Sequence, residues 1–156
     1  MIFDIINEAY LPDDAFFLVG PRLEKLQDLS ALAASGPFYV MLGEVVVGSG
    51  QTEIIGCVHL VSVTDEGGVK KVKMGLLTVR QSCKKRGLAA KITNWSHEWA
   101  RETGHVAVKI SVVSVKPWLV GMYEKLGYRV TGEAPWEGEH VTLTQPCHFI
   151  SMELHF

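Results

Sequence analysis

The stretch VRQSCKKRGLAAKI, Val79 to Ile92, holds the residues best arranged for chemistry. An apolar run (Val72, Met74, Leu76, Leu77, Val79) stops at a basic, glycine-containing loop, and an amphipathic helical pattern begins directly after it. Strand, loop and helix N-terminus in that order present unpaired backbone N–H groups and a positive dipole end to an anion. Lys84, Lys85 and Arg86 add mobile positive charge at the same place. Gly87 and Ala89 leave room for a phosphate to approach the backbone. The chemistry this predicts is retention of a pyrophosphate-bearing ligand. A basic loop before a helix is also what a solvated turn looks like, and loop chemistry alone leaves both readings open. The loop is neither a P-loop nor a dinucleotide fingerprint, because G-x-x-x-x-G-K-[ST] and G-x-G-x-x-G are both missing.

Few other residues are placed for catalysis. His59 and His148 have the unperturbed pKa of a general base, although a single histidine in a strand also reads as structural or solvated. Asp13 and Asp14 would attract an amine, or simply make a turn after Pro12. Cys83 reads as a solvated thiol in the basic loop. His97-Glu98 is not H-E-x-x-H, since Arg101 stands where the second histidine should be. The six histidines and three cysteines show no metal-ligand spacing, so no metal is expected.

The elements that must carry these residues follow from periodicity. Helices are expected over Met1 to Tyr10, interrupted by Pro12-Asp13-Asp14, and over Arg22 to Ala34, with Leu23, Leu26, Leu29 and Leu32 as its apolar stripe. Phe38 to Val47, Glu53 to Val63 and Lys70 to Val79 read as an antiparallel meander with glycine-rich turns. Leu88 to Thr103 is the strongest helix, with Leu88, Ile92, Trp95 and Trp99 on one face and Gly104 just past its end. Val106 to Ser114 is a strand. A helix starting at Pro117 then turns Leu119, Met122, Tyr123 and Leu126 inward. Tyr128 to Thr131 and Cys147 to Leu154 are the last strands, joined by an irregular stretch rich in Glu and Gly. This order predicts an α/β chain, a mixed and mainly antiparallel sheet with helices on both faces.

Composition narrows the function. A chain of 156 residues suits one domain over 1–156, and 47% hydrophobic with 21% charged residues is a globular balance. A formal net charge of −2 gives no field for nucleic acid or an anionic membrane. No apolar run approaches the roughly 20 residues needed to span a bilayer, and Asp4 and Glu8 interrupt what would be a signal peptide. Three widely spaced cysteines give no disulfide framework and fit a reducing compartment, so a cytoplasmic location is expected.

Lys84 to Ala89 resembles the Gln/Arg-x-x-Gly-x-Gly/Ala signature of the GNAT superfamily of acyl-CoA-dependent N-acetyltransferases, departing at Lys84. SVVSVKPWLVGMYEKLGYRVTGE, Ser111 to Glu133, looks like the later strand-helix-strand of that family, with its Tyr-x-x-x-Gly-Tyr ending at Tyr123, Gly127 and Tyr128. QPCHFISMEL, Gln145 to Leu154, is similar to the closing strand of one group of small single-domain members, and NEAYLPDDAFF, Asn7 to Phe17, resembles the first helix region of that group. The resemblance implies the GNAT fold and acetyl-CoA as cosubstrate, with the acetyl group passed directly to a small-molecule amine in a ternary complex. It implies that Leu77, Val79, Lys84, Lys85, Arg86, Gly87, Leu88, Ala89, Ala90, Ser114 and Tyr123 bind the cosubstrate. It further implies that Tyr123 protonates the leaving sulfur and that a backbone N–H of Leu77 to Val79, above all Val79, stabilises the oxyanion. Trp118 and Trp136 would border the acceptor groove, where they suit an apolar acceptor or simple packing.

Two departures set limits. Many relatives carry a glutamate six residues before the position of Val79, and this chain has Lys73, which leaves His59, His148 or water as the base. The strand that usually opens the family's fold is missing, so Phe38 to Val47 should be an exposed apolar edge that favours a homodimer. A catalytically silent acyl-CoA-binding module, or the same fold turned to different chemistry, is the rival reading.

Overall fold

A computed structural model describes residues 2–137 and 142–156. Met1 of the expected first helix and residues 138–141 of the expected irregular stretch lie outside the described residues.

Helix α1 spans Ile2–Asp14 and passes through Pro12, where the sequence predicts a break. Proline removes one backbone bond and crowds the carbonyl of Glu8. The last turn persists because Asp14 beyond it is anchored by the Arg22 guanidinium and by Lys116 Nζ at 2.8 Å. A short strand, β1 (Leu18–Val19), was not anticipated and pairs with Thr142–Leu143. Helix α2 is Leu26–Ser35, later than expected, because Asp28 Oδ2 accepts the N–H groups of Glu24 at 2.9 Å and Lys25 at 2.8 Å and fixes its start. The leucine stripe is therefore divided. Leu23 is buried ahead of the helix, Leu26 is exposed, and Leu29 and Leu32 pack inward.

Strands β2 (Phe38–Glu44), β3 (Thr52–Thr64) and β4 (Lys70–Val79) form the expected meander. β2 ends before Val47 because the Glu44 carboxylate takes the N–H groups of Gly48 and Gly50, both at 2.7 Å, and turns the chain. A 3₁₀ turn, Gln81–Cys83, leads to α3 (Leu88–Glu102). Then follow β5 (Ala107–Val113), α4 (Pro117–Lys125), β6 (Arg129–Pro135), β7 (Thr142–Leu143) and β8 (His148–His155). The main sheet has six strands in the order β2-β3-β4-β5-β8-β6, antiparallel throughout except for β4 against β5. Among the described residues no strand covers the outer edge of β2, where Val40 and Leu42 are exposed.

Alternation along β3 assigns the two faces. Val58 and Leu60 pack with Ile92 and Ala100 of α3 and with Leu119, Val120 and Tyr123 of α4. Cys57 points the other way, into a cluster with Ile6 of α1 and Leu29 and Leu32 of α2. α3 lies close to the sheet because Gly56 has no side chain, and a Cβ there would meet Ile92 Cδ1 and Thr78 O, each at 2.8 Å. Its inward face differs from the expected one. Thr93, Ser96, His97 and Ala100 are buried with Leu88 and Ile92, whereas Trp95 is 40% exposed and flanks Tyr39. Small residues permit the close approach, the Trp95 indole is left at the flank, and Trp99 packs partly buried against the core as expected. In α4, Val120 joins Leu119 and Tyr123 inside, while Met122 and Leu126 are exposed, contrary to the expected stripe.

His97 is buried between α3 and the start of β6, 2.7 Å from the Tyr128 hydroxyl. Burial first, and Arg101 second, hold its pKa below the ordinary value. The folded state thus resists a proton that the unfolded chain accepts near its ordinary pKa of about 6.5. Protons bound by the unfolded state exceed those bound by the native one as pH falls through that value, so stability is lost on acidification. Stability should decline below about pH 6.5. In His97→Gln this part of the slope should disappear, as read from urea midpoints across pH.

Candidate active site

β4 and β5 pair only from Lys71 to Lys73 against Ala107 to Lys109. β4 continues to Val79 and β5 to Val113, so beyond these pairs the two strands part. β4 also carries a bulge here. Gly75 opposes His59 and Thr78 opposes Cys57, which sets Leu76 and Leu77 against Val58 alone. Leu76 adopts φ +46°, a left-handed conformation costly for a side chain of its kind. Two hydroxyls hold the bulge in place. Thr78 Oγ1 donates to the Leu76 carbonyl at 2.8 Å, and Tyr10 Oη of α1 donates to the Leu77 carbonyl at 2.7 Å. Arg80 N–H bonds to Ile55 O on β3. Successive backbone groups of a strand point to opposite sides, so Val79, like Leu77, presents its backbone to the split.

Between α1, α3 and α4 the split opens into a cleft of about 660 Å³. Of the residues that the resemblance assigns to the cosubstrate, Leu77, Val79, Lys84, Lys85, Gly87, Leu88, Ala89 and Tyr123 line it. The first backbone bond of α3 runs from Lys91 N–H to Gly87 O, so the N–H groups of Leu88, Ala89 and Ala90 have no partner within the helix. Lys85 at φ +63° and Gly87 at φ +71° curl the loop, and nothing lies within 4 Å of where a Gly87 Cβ would stand. A curled loop, free N–H groups, an unfilled cradle and two lysines are what a pyrophosphate requires.

Tyr123 is largely buried, and burial raises its pKa, so its hydroxyl stays protonated. Its ring meets Tyr128 edge-on at 5.3 Å. The other expected site residues lie elsewhere. Arg86 turns away and donates to Glu44 O at 2.8 Å. Ala90 is exposed on α3 and does not line the cleft. Ser114 Oγ accepts the His148 N–H at 3.0 Å and ties β5 to β8. His59 is buried, stacked on Phe38 at 4.4 Å, with Nε2 between the carbonyls of Leu32 at 2.9 Å and Gly36 at 3.1 Å. That geometry fastens the end of α2 to β3. His148 faces Glu133 at 3.6 Å and borders neither cavity. Asp14 is consumed by Arg22 and Lys116, and Asp13 by Lys84 at 3.0 Å, so neither carboxylate is free for an amine. Cys83 is fully buried with Ile55 and Leu88 instead of solvated.

Tyr10 is the residue that sequence reasoning missed. It lies 67 positions from Leu77, and only its place on an apolar helix face hinted at burial. The Arg22 guanidinium sits 4.5 Å above its ring. Burial pushes its pKa up to about 12, with Arg22 opposing.

A second cavity, about 670 Å³, opens on the α1–α2 side. Leu76 borders this one and Leu77 the other, so the bulge stands between them. Trp136, stacked on Phe149 at 5.1 Å, and Lys73 line it, whereas Trp118 borders the first cleft. Among the described residues no cluster of His, Cys, Asp or Glu is arranged to hold a metal ion, and no helix is long and apolar enough to cross a membrane.

Tyr10→Phe keeps the ring packing and deletes the bond to the bulge. It should cost about 1 kcal/mol, read as a lower urea midpoint at unchanged slope. An unchanged midpoint would show that water replaces the hydroxyl.

A family model described as the GNAT acetyltransferase domain matches residues 41–146, well over half of the chain. No curated protein sequence matches significantly. Among solved structures, a Bacillus subtilis acetyltransferase in complex with CoA shares 15% identity at a TM-score of 0.63, over 85% of this chain and 84% of that one. A GNAT family acetyltransferase from Elizabethkingia anophelis with acetyl-CoA bound gives 15% and 0.64 over the same shares, 85% and 84%. The NatB acetyltransferase complex bound to CoA and MES gives 16% and 0.71, over 99% of this chain and 94% of that one. These likenesses are likenesses of fold. With the family match and the parted β4 and β5 strands, they lead to one conclusion: the chain belongs to the GNAT acetyltransferase family.

Proposed function

We propose that this protein is a cytoplasmic N-acetyltransferase, a single domain that moves the acetyl group of acetyl-CoA to the amine of a small molecule in a ternary complex. The observation that carries the reading is the bulge in β4, with a phosphate-suited cleft on one side and a separate cavity on the other. Acetyl-CoA supplies a thioester carbonyl to the amine: a C–N bond forms, the C–S bond breaks, and a thiolate departs. The N–H groups of Leu88 to Ala90, with Lys84 and Lys85, hold the pyrophosphate. The backbone N–H of Val79, with that of Leu77 beside it, faces the split and donates to the carbonyl oxygen as it gains charge. Tyr123 gives its proton to the sulfur, whose reference pKa is about 8.5.

Among the described residues no side chain with the position and chemistry of a dedicated base stands out. His59 and His148 do not border either cavity, and Lys73 occupies the position of the family's glutamate. An acceptor that arrives neutral needs no deprotonation before it attacks, and water takes the proton that the nitrogen releases once the C–N bond has formed. Lys73 also favours a second reading, a silent acyl-CoA-binding module. The uncovered edge of β2, with Val40 and Leu42 exposed, supports association into a homodimer. Sedimentation as a clean monomer at high micromolar concentration would count against it.

CoA at about 100 times its dissociation constant should stabilise the protein by ~2.7 kcal/mol. Gly87→Glu, which adds bulk and negative charge to the cradle, should abolish that shift. Tyr123→Phe should keep the CoA shift and lower kcat by roughly 10²–10⁴-fold in single-turnover measurements. An absent CoA shift in the wild type would sink the whole reading. A retained shift with no transfer across a broad amine panel would select the silent module.

A further inference from the structure

We infer that the acceptor is an amine carrying a carboxylate and an apolar body, and that Lys73 reads the carboxylate. This rests on the reading of the second cavity as the acceptor's site. The charged residues bordering that cavity are Arg22, Lys73, Asp28 and Glu137. Two of them are already engaged. Arg22 is held by Asp14, and the Asp28 carboxylate closes the first turn of α2. Lys73 and Glu137 have no ion pair among the described residues, and both are exposed.

The sheet around Lys73 adds positive charge. Lys73 lies beside Lys109 in the β4–β5 register, two positions from Lys71 on the same face. One carboxylate serves that group. Glu153 takes Lys71 at 3.3 Å, Lys109 at 3.6 Å and His155 at 2.7 Å. It is nearly saturated by them, and among the described residues no carboxylate forms an ion pair with Lys73. A cation and a carboxylate on the lining of one cavity match a molecule that bears both signs. The stacked Trp136–Phe149 pair and the leucines at positions 18, 23 and 32 supply an apolar wall for the remainder. The departure that removes the family's glutamate thereby gains a purpose: a glutamate at this position would repel the carboxylate that Lys73 attracts.

The test compares phenylalanine with 2-phenylethylamine, which differ by the carboxylate alone, in acetyl transfer corrected for the fraction of neutral amine. The wild type should prefer phenylalanine by about tenfold to a hundredfold in kcat/KM, the worth of one hydrogen bond to a charged group. Lys73→Gln should erase most of that preference and Lys73→Glu should reverse it. The CoA-induced thermal shift of each variant reports that it is folded. Equal rates for the two amines in the wild type, or an undiminished preference in Lys73→Gln, would overturn the inference. If neither amine is acetylated although CoA binds, the proposed reaction fails separately. Calorimetry with 3-phenylpropionate, which has the carboxylate and no amine, then decides the subsite. Binding weakened about tenfold or more by Lys73→Gln supports it, and binding that is absent or indifferent to the substitution overturns it.

Discussion

The interaction on which the rest depends is one that ends early. β4 and β5 share hydrogen bonds over three residue pairs and then part, although both strands run on. A backbone that leaves its partner must satisfy its polar groups in some other way. Here the bulge at Leu76 and Leu77 hands two carbonyls to side-chain hydroxyls, from Thr78 and Tyr10. The N–H groups on the same side are left pointing into the gap. The left-handed Leu76 is the local strain that this arrangement carries, and strain of that kind persists where the surroundings over-determine it.

The surroundings do so through charge. Asp14 is 2% exposed and Lys116 8%, and a carboxylate and an ammonium that deep are costly unless they meet. They meet at 2.8 Å, and Arg22 completes the set while covering the Tyr10 ring. The end of α1, the segment before α2 and the N-cap of α4 are thus tied at one point. α1 is held where Tyr10 can reach the bulge, and α4 where Tyr123 enters the cleft. Removing Asp14 leaves the buried Lys116 ammonium without its counter-charge, whereas removing either cation leaves Asp14 with the other.

The two cavities follow from the same split. The face packed by α3 and α4 receives the helix N-terminus, the curled loop and Tyr123. The face packed by α1 and α2 receives the aromatic pair and Lys73. Each face takes its character from the alternation of β4, whose neighbours Leu76 and Leu77 look to opposite sides of the bulge. The GNAT membership explains why the first face is so legible and the second is not. The cradle of the first is built from consecutive residues of one loop and helix start, whereas the second is lined by side chains gathered from several distant segments.

The sequence by itself determined what is local. Val79 to Ile92 specified the phosphate loop, because strand, basic turn and helix N-terminus are adjacent in the chain and their N–H groups need no distant partner. The meander and the ends of β4 and α3 were legible from period and glycine. What the tertiary structure decided is long-range. Tyr10 and Leu77 meet across 67 positions, and no periodicity announces such a bond. α1 passes through Pro12 because Asp14 is caught by partners far away in sequence. Trp95 looked like core by spacing, yet the small Ser96 and Ala100 turned inward and left it exposed, since a helix packs by the distance it can reach and not by hydrophobicity alone. His59 and His148 are of the residue type that serves as a base but stand in other surroundings, because a residue's chemistry belongs to its type while its role belongs to what the fold places beside it.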